Sequence, residues 1–181
     1  MKALKILLII LVAVVALPLL AALFISGNYD VTETIVIDKP KEEVFAYVKS
    51  LKNQEFYSKW QKMDLQMEHY FEGQDGTVGF VSGWKSQNPD VGAGEQEIIA
   101  IEEGERIDYE LRFLEPFAST SGAFMTTEEE GPGKTKVSWG FTGDMEYPMN
   151  LMIPLMGMKE SISADLAEGL ANLKVLLENG N

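Results

Sequence analysis

The sequence has no cysteine and a single histidine among its 181 residues. Without cysteine there is no disulfide framework, no thiol nucleophile and no lipidated cysteine to hold the chain to a membrane. One histidine, His69, excludes a metal site built from several imidazoles and leaves one imidazole for proton transfer. Basic side chains are scarce, 15 Lys and Arg against 28 Asp and Glu. All 28 acids follow position 26, where only 13 of the bases lie, so this part of the chain repels nucleic acid and anionic headgroups. No repeat and no low-complexity tract is present. The glycines at 73–76 and 92–94 have no phosphate-loop spacing and read as turns, and no motif calls for a metal or a cofactor. Glu128-Glu129-Glu130 reads as a solvated run at a turn, with a cation site as the alternative.

The first feature present in abundance is apolar length. Ile6 to Ile25 is a run of twenty residues with no polar or charged side chain. As a helix rising about 1.5 Å per residue it spans about 30 Å, the hydrocarbon thickness of a bilayer. Pro18 within it is tolerable in lipid. The alternative is a cleaved signal peptide, whose apolar core is about 7–15 residues long and ends at a small-residue cleavage site. The run is longer than that and has no such site, which favours an uncleaved anchor. Lys2 and Lys5 precede the run, and Asp30 and Glu33 follow it. The charge bias puts the N-terminus in the cytosol and the remainder in the periplasm or outside the cell. The expected division is an anchor over 1–27 and one domain over 28–181, enough chain for a single core.

Period-two alternation dominates the domain. Tyr29 to Ile37 puts Val31, Glu33, Ile35 and Ile37 on one strand face. Further strands are expected over Met63–Phe71, Val78–Trp84, Glu95–Ile101, Ile107–Phe113, Phe117–Thr127 and Thr135–Phe141. Between the first two strands, Pro40 with Glu42 and Glu43 marks a helix start, with Val44, Phe45 and Val48 as its buried stripe. Leu51–Trp60 reads as a second short helix or a turn-rich connection. From Lys159 to Glu178 the period changes to three and four, aligning Ile162, Leu166, Gly169, Leu170, Leu173 and Leu177. Gly180 ends that helix. Met145–Met158 holds five methionines interrupted by Pro148 and Pro154, either core filler or an adaptable apolar mouth.

In this order the elements resemble the START-like or SRPBCC superfamily, in its polyketide cyclase/dehydrase-type branch. The matching stretches are Ile37-Asp38-Lys39-Pro40-Lys41-Glu42-Glu43-Val44-Phe45, Trp60, the strand from Val78-Gly79-Phe80 to Trp84, Val91 to Ile98, Lys134 to Trp139, and Gly169 to Lys174. The resemblance implies an α+β helix-grip fold, a curved antiparallel sheet of about six or seven strands around the long C-terminal helix. Two short helices follow strand one, and the N-terminal transmembrane helix precedes it. It also implies a deep cavity for a hydrophobic small molecule or lipid. Combined with strand parity, it nominates Phe80, Trp84, Tyr109, Phe113, Trp139, Met149 and Leu170 as ligand-binding residues.

Catalysis is not required by any of these residues. The candidates for an enzymatic reading, of cyclase or dehydratase type, are His69 with Glu33 or Tyr109, both carboxylate and imidazole having inward parity. A third reading is a packed domain without ligand that acts through protein contact, its cavity filled by tryptophan and methionine. The expected partners are a hydrophobic small molecule or lipid and the membrane through residues 6–25. The sequence identifies no protein partner.

Overall fold

The apolar run forms one helix, α1 (Lys2–Ala22, 21 residues), which contains Pro18. The architecture is that of a computed structural model, which describes residues 2–180. Met1 and Asn181, at the outer ends of the expected divisions 1–27 and 28–181, lie outside the described residues. The 19-residue segment Leu4–Ala22 is long and apolar enough to cross a membrane, and its large apolar side chains are exposed, with only Ala22 at its end buried.

Beyond α1 the chain builds a seven-stranded antiparallel sheet in the order β1-β7-β6-β5-β4-β3-β2. The strands are β1 (Asn28–Ile37), β2 (Glu68–Glu72), β3 (Val81–Lys85), β4 (Ala93–Glu102), β5 (Arg106–Glu115), β6 (Ser119–Glu129) and β7 (Thr135–Asp144). Consecutive strands from β2 to β7 are neighbours, and β1 returns to pair with β7 over its whole length. Helix α2 (Lys41–Lys49) and the short turns α3 (Gln54–Tyr57) and α4 (Lys59–Lys62) follow β1. The turn α5 (Met152–Leu155) leads into α6 (Met158–Asn179), the 22-residue helix that the sheet grips. Its buried side is Leu166, Gly169, Leu170, Leu173 and Leu177, the stripe expected from the sequence except for Ile162, which is half-buried.

Register fixes what lies at each end of the sheet. Asn28 pairs with Asp144, Phe113 with Ser119, and Ala93 with both Lys85 and Glu115. These positions form the proximal end, where the chain leaves α1. The distal end holds Ile37 opposite Thr135 and Glu102 opposite Arg106. Helix α6 runs from proximal to distal: the Ser163 hydroxyl donates to Glu33, Lys174 Nζ donates to the Val36 carbonyl at 2.6 Å, and the Asp38 amide donates to Glu178 at 2.7 Å. The distal half is dry core, with Ile37, Val44, Val48, Ile98, Ile107 and Leu173 fully buried.

Two expected strands are shorter than their alternation. In 63–71 only Glu68–Glu72 is strand. The Asp64 side chain accepts the Gln66 amide at 2.9 Å and its carbonyl accepts the Met67 amide at 3.2 Å, so a local turn takes the backbone bonds a strand would need. Leu65 is left 91% exposed. Likewise 78–84 is regular strand only from Val81: Gly79 has φ of +87° and the Phe80 amide turns back to Thr77, although the Gly79 amide and the Phe80 carbonyl still bond Ile98 of β4. Val78 is exposed rather than inward.

Candidate ligand cavity

The proximal half is not filled. Between the sheet, the start of α6 and the short turns lies a cavity of about 760 Å³. That size is typical of a small-molecule site. Two of its lining tryptophans are seated against glycines. A Cβ at Gly94 would come within 2.6 Å of the Trp84 ring, so glycine lets that indole lie across β4 against Phe113, ring centroids 6.1 Å apart. A Cβ at Gly169 would come within 2.7 Å of the Trp139 ring, so glycine lets that indole lie under α6 as the cavity floor. Trp139 is fixed there edge-to-face against Tyr57 at 5.7 Å and Trp60 at 6.1 Å.

Of the ligand-binding residues nominated from sequence, Trp84, Phe113, Trp139 and Met149 line this cavity. Phe80, Tyr109 and Leu170 are buried but do not line it; they belong to the dry part of the core. Parity assigned them to the inner face and says nothing of depth along the strand or helix. On α6 the lining residues are Met158, Ile162 and Leu166, one turn and more before Leu170. All three tryptophans of the chain, Trp60, Trp84 and Trp139, touch the cavity.

The catalytic candidates are not brought together. His69 and Glu33 stand on β2 and β1, the two outer strands of the sheet, and neither lines the cavity. His69 shares a face with Phe71, stacked at 6.4 Å, yet it is exposed together with every other residue of β2. The expected inward placement beside Leu65 and Met67 is thus replaced by an exposed edge position. Glu33 is engaged by Ser163 of α6. Burial pushes the Tyr109 hydroxyl far above the ordinary tyrosine range, with Asp108 and Asp75 adding to the shift, and the hydroxyl has no hydrogen-bond partner.

The polar groups of the cavity come from residues the sequence analysis passed over. Gln54, Ser58 and Gln61 line it from the short turns and Gln96 from β4. Gln54 is 4% exposed, and its Nε2 has no hydrogen-bond partner; the amide lies near the Tyr57 hydroxyl without reaching hydrogen-bond geometry. Gln61 Oε1 is likewise buried without a partner. A buried amide lacking a partner costs about 1–3 kcal/mol, so a donor and an acceptor left open in one apolar cavity are suited to a ligand's polar group. The available signal was spacing: Leu51, Gln54, Tyr57 and Gln61 fall on one helical side, and Gln96 shares the parity of Ile98.

The mouth faces the proximal end and is acidic. Asp90, Asp144 and Glu146 are exposed at its rim. Tyr29, stacked on Phe141 at 6.2 Å, has its hydroxyl pushed up by burial and then by Asp144. An anionic ligand meets repulsion at this rim; a neutral or cationic one does not.

Residues 29–178 match the family of polyketide cyclase / dehydrase and lipid transport proteins. The chain belongs to that family. No curated protein sequence matches it. Solved structures share the family fold at low identity. The di-domain ARO/CYC StfQ of the steffimycin biosynthetic pathway is 10% identical with a TM-score of 0.63, the match covering 84% of this chain and 51% of that one. A protein from Mesorhizobium loti is 16% identical with a TM-score of 0.58, covering 84% and 99%. The Aha1 dimer from Colwellia psychrerythraea is 12% identical with a TM-score of 0.56, covering 84% and 98%. These likenesses establish the helix-grip fold of the family, and the function is argued from the site.

Proposed function

We propose that the protein is a membrane-anchored binding domain for a hydrophobic small molecule or lipid that carries a neutral hydrogen-bonding group. Residues 1–27 are the anchor and residues 28–181 the binding domain, held on the non-cytosolic side. The observation that carries this reading is an unfilled cavity of about 760 Å³ with aromatic and aliphatic walls and two open amide groups, Gln54 Nε2 and Gln61 Oε1. A core meant only for packing does not retain such a space, because interiors are close-packed and unpaired buried amides are costly. The apolar body of the ligand lies against Trp84, Phe113 and Trp139, and its polar group meets the glutamines.

The three tryptophans supply the test, since α1 contains none. The full chain in phosphatidylcholine nanodiscs is titrated with a long-chain alkyl amide brominated on its tail, and tryptophan fluorescence is followed. Saturable quenching supports the cavity as the site. Quenching that only rises in proportion to added probe, as for tryptophan free in solution, refutes it.

A further inference from the structure

The cavity mouth and the end of the apolar helix are joined by one side chain. Asn150, 4% exposed, donates through Nδ2 to the carbonyl of Ala22 at 2.8 Å and to that of Ile25 at 2.7 Å. Ala22 is the last residue of α1, its carbonyl also accepting the Ile25 amide at 3.3 Å, and Ile25 lies three residues beyond the helix. Asn150 sits one residue after Met149, which lines the cavity, in the turn between β7 and α6. A second tie is backbone: the Met145 amide donates to the Gly27 carbonyl at 3.1 Å, extending the β1–β7 ladder to the foot of α1. Sheet register already puts the mouth at this proximal end, so mouth and helix end are held side by side rather than connected by a free linker.

The surface around the mouth is unlike that of a solvated domain. Phe24 is 89% exposed, Phe117 82%, Leu155 71% and Met156 66%. Phe24 lies two residues beyond α1, Phe117 in the turn between β5 and β6, and Leu155 and Met156 at the end of α5. Three segments distant in sequence, all at the proximal end of the fold where the span ends, therefore leave large apolar side chains exposed. Amphipathic rims of this kind bury at the boundary of headgroups and acyl chains.

From these contacts we infer that the cavity mouth docks on the outer surface of the same bilayer that α1 spans, and that its ligand enters laterally from that leaflet. The inference rests on the binding reading above and narrows it: the ligand is a bilayer-resident amphiphile, neutral or zwitterionic at the end that passes the acidic rim, and not a molecule captured from solution. A cavity opening away from the membrane would require the domain to turn about residues 23–27. The bonds to Ala22, Ile25 and Gly27 oppose that turn.

The absence of cysteine makes the test direct. Single cysteines are introduced in the full chain at exposed positions, Phe117→Cys and Leu155→Cys at the rim and Val175→Cys as the control. Val175 is also apolar and 59% exposed, but it lies in the distal part of α6, beside the Lys174 tie to Val36. Each variant carries a bimane label in phosphatidylcholine nanodiscs doped with a headgroup-proximal spin-labelled phosphatidylcholine. The expected result is several-fold stronger quenching at 117 and 155 than at 175, and loss of that excess on adding Asn150→Ala. Equal quenching at all three positions would overturn the docked mouth, whatever the tryptophan titration shows. Strong rim quenching without saturable tryptophan quenching would leave the docked surface standing and remove the bound ligand instead.

Discussion

The Trp139 indole lies where a methyl group on residue 169 would have to be, 2.7 Å from its position. This contact between β7 and α6 sets the spacing of sheet and helix over the cavity floor. Gly169→Ala gains about 1 kcal/mol of helix propensity. It also forces an overpacked contact worth about 1–3 kcal/mol against a ring fixed by Tyr57 and Trp60. The expected net loss is about 1 kcal/mol in denaturant unfolding. In a Trp139→Leu background the same change is expected to stabilise, because only the propensity gain remains. Stabilisation in both backgrounds would show that the ring does not set the spacing.

Two tyrosines give a pH signature on the alkaline side. Tyr70 on β2 donates to Glu95 of β4, and that bond, with burial and the Glu95 charge behind it, pushes its hydroxyl up to about 12. Tyr109 is raised further by burial. A group raised on folding stabilises in full below its unfolded value, here 10.0, and that contribution is lost as pH climbs through the folded value. Unfolding free energy is therefore expected to fall between pH 10 and about 12, less steeply in Tyr70→Phe. Tyr109→Phe, which removes a buried hydroxyl without a partner, is expected to be neutral or to stabilise by up to about 1 kcal/mol at neutral pH. An ultraviolet titration in which all six tyrosines ionise together near 10 would contradict the Tyr70–Glu95 bond and the burial of Tyr109.

His69 is expected to be dispensable for binding. It is exposed on an edge strand outside the cavity, so His69→Ala should change stability by no more than about 0.5 kcal/mol. Tryptophan quenching by the brominated amide should be unaffected. Loss of saturable quenching in this variant would return the imidazole to the site.

The proposed non-cytosolic placement rests on Lys2 and Lys5 before the span, which the positive-inside bias keeps in the cytosol. Alkaline phosphatase fused after residue 181 is expected to be active in intact bacteria. Activity appearing only when a cytosolic reporter replaces it would reverse the placement of the domain.

Much of the fold was legible because periodicity is a local signal. The stripe from Leu166 to Leu177 and the alternation in β1, β5 and β7 each report one buried face, and the structure buries those faces. What periodicity could not give was depth. Trp84 and Phe80 have the same parity four residues apart, yet one lines the cavity and the other fills the core. Nor could it show that Asp64 would take the backbone bonds of Gln66 and Met67 and so end the strand signal before His69. The cavity glutamines were hidden because a polar residue on an inward stripe is read as an interruption of the pattern. The bond from Asn150 to Ala22 joins residues 128 positions apart, a relationship no local pattern carries.

The binding function requires that the proximal cavity hold a molecule. Native mass spectrometry of the full chain, ejected from nanodiscs made directly from its host membrane, measures this in one spectrum. Ser121 lines the cavity from β6, and Ser121→Phe is the companion variant, expected to obstruct the space with an aromatic ring and keep or raise stability by about 0.5–2 kcal/mol. A reproducible adduct on the unaltered chain, lost in Ser121→Phe, is the expected result. A bare mass for both, from protein whose tryptophans also show no saturable quenching, would contradict the binding function and leave a packed interaction domain in its place.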